Sequence, residues 1–323
     1  MNKINRFQNL VSDEILAVEN LMRKQAEGYN PDLQAALDHL ILSGGKRIRP
    51  NITLLVGKLL NGDPDRLIIL SAAIELLHTA TLVHDDLIDG ALLRRGIPTL
   101  NASWTPAATI LTGDFIFAKA AKLAAETDSI PVMKIFANTL STIVNGEIAQ
   151  LFTSHCDSNL DKYYERIYAK TASLFETSTT AAALISNATQ NQIKHLQEFG
   201  YELGIAFQII DDILDFTSNQ EKLGKPVGGD LRLGLITLPA ILYFEQYPND
   251  HQTKEFFKHN CNPTLETLEI LVENIRNSSA INLSFEKANS HIDLCINALH
   301  NLPECYERDA LEELACFVTQ RTN

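Results

Sequence analysis

The sequence is poor in residues that break or cross-link helices. Among 323 residues there are only 15 glycines, 11 prolines and one tryptophan, and the five cysteines are scattered at 156, 261, 295, 305 and 316. Their odd number and the lack of a CxxC pair argue against a disulfide framework and against a zinc site, and so suggest a reducing cytoplasm. There is no run of 18 apolar residues, and the opening MNKINRFQNLVSDEIL lacks the apolar core of a signal peptide. The expectation is a cytoplasmic protein without a transmembrane segment. Positive charge is also scarce: a formal net charge of −13 argues against nucleic acid as a ligand, which would need a net basic face. An anionic small molecule is not excluded if basic residues are concentrated locally.

What is present reads as helix. Hydrophobic residues make up 45% of the chain, and the i, i+3, i+4, i+7 spacing recurs almost throughout, as in Leu70, Ala73, Ile74 and Leu77. No Pro/Ser/Gly-rich linker interrupts it, so the expectation is an all-α chain forming a single domain over 1–323. The periodicity predicts helices near 5–27, 31–43, 67–89, 105–126, 130–152, 160–187 and 191–218, helix resuming at Thr237, and a polar helical set over 250–323. Asn30 and Pro31 supply a cap and a first helical residue. Loops are expected at Gly44-Gly45, at 94–99 and at 224–230, where Gly and Pro cluster.

One pattern occurs twice: Asp85-Asp86-Leu87-Ile88-Asp89 and Asp211-Asp212-Ile213-Leu214-Asp215, each within an apolar helical stretch. Burying a carboxylate is costly unless it is paired or metal-bound, and six would be prohibitive without cations. Residues i and i+4 of a helix share a face about 6 Å apart, so each motif presents a carboxylate ledge. Mg²⁺ favours a few carboxylates plus substrate phosphate oxygens over an all-protein cage. Basic residues bracket the motifs: Lys46, Arg47 and Arg49; Arg94 and Arg95; Lys170; Lys222 and Lys225. Arginine contacts phosphate bidentately and lysine acts as a point charge. Together with an apolar interior, these groups imply a hydrophobic molecule with a diphosphate head.

The segments GGKRIRP (44–50), ELLHTATLVHDDLIDGALLRRGIPT (75–99), GEIAQ (146–150), KTASL (170–174) and FQIIDDILDF…GKPVGGDL…TLP (207–239) resemble the trans-isoprenyl diphosphate synthases, the polyprenyl synthetase family. The match runs from about residue 40 to 240, in order and spacing. The resemblance implies a bundle of mostly antiparallel helices around a deep central cavity, the isoprenoid synthase type I fold, working as a homodimer. It also implies metal binding by Asp85 and Asp89 with Asp86 in support, and by Asp211 with Asp212 and Asp215 behind it, for three Mg²⁺ ions in all. Lys46, Arg49, His78 and Arg95 would bind isopentenyl diphosphate, and Arg94, Lys170 and Lys225 the allylic diphosphate. Thr171 and Gln208 would lie beside the developing carbocation. The reaction implied is ionisation, condensation and elimination, with the proton leaving to diphosphate, since no side-chain base is evident in the motifs. One departure stands out: Leu235 occupies a position where many relatives carry lysine, with Arg232 as the nearby cation that would compensate.

Other readings fit less well. His84 beside Asp85 suggests a metal-dependent phosphohydrolase, but there is no suitably spaced second histidine pair. A non-catalytic partner subunit would have lost its aspartates, and a terpene cyclase would carry an Asn/Ser/Glu triad in place of the second motif. Taken alone, Arg47 reads as structural or solvent-facing, and Glu75 and Glu147 as residues that either orient cations or touch substrate.

In the family, bulk four and five residues before the first aspartate closes the cavity early. Here those positions are Thr81 and Ala80, both small, with Leu77 and Ile74 further up, the last roughly 16 Å from Asp85 along the helix. The expected product therefore exceeds C20, a length suited to a quinone side chain. Ala80→Phe is predicted to shorten it, as chromatography of the products would show; an unchanged distribution would remove Ala80 from the chain-length role.

Overall fold

The computed structural model describes residues 6–42, 45–94, 96–152, 156–217 and 227–320. Apart from a two-residue antiparallel hairpin, Leu93–Arg94 with Ile97–Pro98, their regular structure is helical. This is the all-α class expected. The hairpin was not expected; it forms where Gly96, at φ 77°, reverses the loop read at 94–99. The contacts group the chain into two compact units that interleave along the sequence. The first takes in residues up to 140, 174–200 and 298–314; the second takes in 141–173, 201–297 and 315 onward.

The first unit is organised around the helix Pro64–Ile88. Asp63 caps its start by accepting from the backbone N–H of Asp65 and Arg66, with Pro64 at the first helical position. Its end is set by Gly90 at φ 62°, a conformation that glycine adopts without strain. Between these ends it is apolar nearly all round, so it must be buried on most sides. Leu67, Leu70, Ala73, Ile74, Leu77 and Ala80 are all in the core. It packs most extensively on Pro106–Glu126, then on Ile48–Leu59 and Ser12–Lys24. Ile48–Leu59 was not anticipated as a separate helix. By length and composition Pro64–Ile88 could cross a membrane, which the absence of an 18-residue apolar run did not suggest, but about two thirds of that stretch is buried inside the protein. Nearby, the Ser173–Ile185 helix lies so close to Gly200 that a Cβ there would come within 2.8 Å of the Glu176 Cα and the Phe175 carbonyl oxygen.

In the second unit Tyr163, Ile167, Ile209, Ile213 and Phe216 pack with Leu238, Ile241 and Leu271. The helix predicted over 160–187 is divided. Leu160–Ile167 is α-helical, Tyr168–Ala172 is a π-turn, and Ser173–Ile185 resumes the α-helix. The cysteines also correct the expectation: Cys156 and Cys261 form a disulfide, while Cys295, Cys305 and Cys316 are free. Composition gave no sign of it, because the two cysteines are 105 residues apart.

Gly200→Ala is predicted to cost about 1–3 kcal/mol, since the added methyl meets fixed backbone. Thermal denaturation would show this as a lowered Tm; an unchanged Tm would mean that the two helices separate freely.

Candidate active site

Both aspartate motifs lie in the last turns of long helices, Pro64–Ile88 and Gln190–Thr217, and neither helix has a basic residue in its last turn. A helix C-terminus carries partial negative charge, so carboxylates there are disfavoured until a cation arrives. One motif belongs to each unit.

In the first motif Asp85 is half-buried, Asp89 is exposed and Asp86 is buried. Asp86 is held by Arg94 of the hairpin: Nε donates at 2.9 and 3.1 Å to the two carboxylate oxygens, and Nη2 lies 2.8 Å from Oδ1. One residue along the helix turns its direction about 100° from that of Asp85. Asp86 thus fixes an arginine, while the other two form the ledge. Immediately before them, His84 wedges against Gly113, with Nε2 3.2 Å from the Ile110 carbonyl oxygen and 3.5 Å from Asp114. His78 is half-buried about two turns before Asp85 on the same face, and its carbonyl accepts from Thr81. Ile74, Leu77 and Ala80 are fully buried and Thr81 half-buried.

The loop before Ile48–Leu59 is pinned by Arg47. At φ 47° it takes a left-handed conformation, and its guanidinium reaches Glu19 at 2.8 Å, Glu75 at 3.1 Å and the Ile41 carbonyl at 2.7 Å. Burial works against its charge, but Glu75 and Glu19 outweigh burial and raise the pKa. Arg47 is therefore structural, one of the two readings offered, and Glu75 orients it. Lys46 is left exposed, and Arg49 is buried with its guanidinium 4.5 Å from the centre of the Phe175 ring.

The second motif follows the same division. Asp211 is half-buried, whereas Asp212 is buried and both its oxygens are occupied: Tyr163 Oη donates to one at 2.7 Å and Gln208 Nε2 to the other at 2.8 Å. Burial, and then the nearby Asp230, push the Asp212 carboxyl up to about 8 despite those donors. Asp215 accepts from the backbone N–H of Gly229 at 3.1 Å and Asp230 at 3.2 Å, and so holds the start of the Gly229–Arg232 helix. Direct metal binding by Asp86, Asp212 and Asp215 thus has protein donors to compete with, which the motif alone could not reveal. Thr171 Oγ1 donates to Gln208 Oε1 at 2.6 Å, so these two expected neighbours do meet. Lys170 lies 3.2 Å from Glu147, which answers for Glu147 as Arg47 does for Glu75. Arg232 gives its Nε to the Val227 carbonyl at 3.0 Å. Arg95, Lys222 and Lys225 lie outside the described residues. Sequence reasoning missed Tyr163, because nothing in a lone tyrosine signals a carboxylate partner 49 positions away.

The all-helical fold is that of the solved polyprenyl synthases. The polyprenyl synthetase family model matches residues 30–274, and the chain belongs to that family; it is a prenyltransferase. It is 36% identical over 323 residues to heptaprenyl diphosphate synthase component 2 of Geobacillus stearothermophilus, with 99% of each chain covered. Among solved structures it is similar to polyprenyl synthase from Caulobacter crescentus CB15 complexed with calcium and isoprenyl diphosphate, with TM-score 0.90 and 35% identity over 98% of this chain and 97% of that one. It is equally similar in fold to a decaprenyl diphosphate synthase from Rhodobacter capsulatus, with TM-score 0.90 and 33% identity over 98% and 99%.

Arg47→Met is predicted to destabilise the protein by about 3–5 kcal/mol, because it leaves the buried Glu75 without its cation. Chemical denaturation would measure it; a loss below 1 kcal/mol would show that water or another group satisfies Glu75.

Proposed function

We propose that the chain condenses isopentenyl diphosphate with an allylic diphosphate, head to tail and trans, to make an all-trans polyprenyl diphosphate longer than C20. The observation that carries the reading is the repeated arrangement of the aspartate motifs: in each, the second aspartate is buried and tied to the scaffold, and the first stands half-buried in the last turns of a long helix that has no basic residue in its own last turn. Hard carboxylate oxygens in that setting suit Mg²⁺, with three ions expected when allylic diphosphate is bound. Bound there, the ions would neutralise charge building on the departing diphosphate.

The side chains of the chain itself do the rest. Asp85, Asp89 and Asp211 would hold the metal, with Asp86, Asp212 and Asp215 supporting them. Arg94, Lys170 and Lys225 would bind the allylic diphosphate. Lys46, Arg49, His78 and Arg95 would hold isopentenyl diphosphate so that its double bond meets the allylic cation, in place of a bimolecular encounter in water. Thr171 and Gln208 offer oxygen lone pairs to the cation, a preorganised electrostatic contribution. The proton lost on elimination would leave with diphosphate. Apolar residues such as Ile74, Leu77 and Ala80 would exclude water and accommodate the growing chain. Both compact units serve one domain in this reading, as the family match across 30–274 suggests. A homodimer is part of the proposal: Ile130, Val144, Ile148 and Leu151 form an exposed apolar row along the Ile130–Phe152 helix, which a second copy would cover.

The test is elongation of labelled isopentenyl diphosphate by the purified protein with Mg²⁺ and C5, C10, C15 or C20 primers. Chain growth is expected, with Asp85→Ala and Asp211→Ala each losing more than about a hundredfold in kcat/KM, and light scattering giving twice the chain mass. No growth from any primer, or full activity in Asp85→Ala, would overturn the reading. Activity that appears only when a second, different subunit is added would favour a two-component enzyme, the kind of assembly that the printed name of the Geobacillus relative implies for that protein.

A further inference from the structure

We infer that Tyr163 is a positioning residue for carbocation formation: acting through Asp212 and Gln208, it sets which way the Thr171 hydroxyl points. The inference rests on the function proposed above. Four side chains of the second unit form one directed chain: Tyr163 Oη to Asp212 Oδ2 at 2.7 Å, Gln208 Nε2 to Asp212 Oδ1 at 2.8 Å, and Thr171 Oγ1 to Gln208 Oε1 at 2.6 Å. Tyr163, Asp212 and Thr171 are 1%, 3% and 6% exposed, so water is poorly placed to substitute for any of them.

The direction of each bond follows from what each group can donate. Tyr163 Oη donates to one oxygen of Asp212 and Gln208 Nε2 to the other, so both carboxyl oxygens serve as acceptors. That places the Gln208 amide nitrogen on Asp212 and its oxygen on Thr171. The Thr171 proton is then committed inward, and its lone pairs are left on the side away from Gln208. A hydroxyl held this way turns the negative end of its dipole toward positive charge. With the amide reversed, Gln208 would donate to Thr171, and the hydroxyl proton would turn outward and repel a cation.

Tyr163 is held firmly enough to serve as the fixed end. Its helix, Leu160–Ile167, is capped by Asn159, which accepts from the Lys162 N–H. The Arg166 guanidinium lies 5.6 Å from the Tyr163 ring centre and donates to the Ile236 carbonyl at 2.6 Å. The far end lies in the π-turn, where the Ser173 N–H reaches back to the Tyr168 carbonyl and widens one turn at Lys170 and Thr171. Such turns recur at functional sites. Removing the tyrosine hydroxyl would leave a buried oxygen of Asp212 without its donor and free the carboxylate to rotate, so the amide would lose its reference.

Tyr163→Phe keeps the ring and removes only that hydroxyl. The expected result is a fall of about tenfold in kcat, with KM for both substrates within about twofold and little change in Tm. In a Gln208→Leu background the same change should cost less than about twofold, because the route through the amide is already gone. An unchanged kcat in Tyr163→Phe, or the same tenfold loss in both backgrounds, would overturn the inference and leave Tyr163 a packing residue. Should Tyr163→Phe fold poorly, 4-aminophenylalanine and 4-methylphenylalanine at 163 fill the same volume with and without a donor. The amino form is expected to stay within about threefold of the parent and the methyl form to show the loss; equal rates would overturn the inference. A parent enzyme that elongates no primer would instead sink the proposed function, so the two failures are distinct.

Discussion

The account depends on one electrostatic constraint: carboxylates gathered at the negative ends of two apolar helices. Asp85, Asp86 and Asp89 close one helix, and Asp211, Asp212 and Asp215 sit near the end of the other, with no basic residue in either last turn. A soluble fold could relieve that charge with lysines on the same helix. Here Arg94 answers Asp86, and neutral donors answer Asp212 and Asp215. In the function proposed, divalent cations bridging to a diphosphate would be favoured by that field.

The division within each motif follows from helical geometry. The second aspartate is turned about 100° from the first and so meets the scaffold, while residues four apart stay on one side. Scaffold contacts then carry consequences of their own. Asp86 orients an arginine suited to phosphate, and Asp212 orients a glutamine whose oxygen meets Thr171. Asp215 holds the start of the Gly229–Arg232 helix. Glu75 and Glu147 act similarly on Arg47 and Lys170. A pattern of six similar carboxylates thus divides into those tied to the scaffold and those beside them.

Much of this was legible in the sequence, for local reasons. Helix periodicity and the Pro31 start are read from neighbours along the chain, and the all-α class followed from the periodicity. The motifs were legible because so much charge in apolar surroundings has few explanations other than metal. Partnerships across long separations were not: Tyr163 with Asp212, and Cys156 with Cys261, are set by packing rather than spacing. The π-turn was missed because its residues, Tyr168 to Ala172, continue a helical pattern without a breaker. The interleaving of the two compact units was missed because helices such as Ile130–Phe152 and Gln190–Thr217 run from one into the other without a change in composition.

The central claim is that these aspartates bind diphosphate through divalent cations rather than serve the fold. Calorimetric titration with a non-ionisable allylic thiolodiphosphate tests it directly, because binding is measured without turnover. Binding should require Mg²⁺, vanish with chelator, and weaken by at least about tenfold in Asp85→Ala and in Asp211→Ala, while both variants melt at or above the temperature of the parent. Equal affinity with and without Mg²⁺, or variants that bind normally but melt well below the parent, would contradict the account.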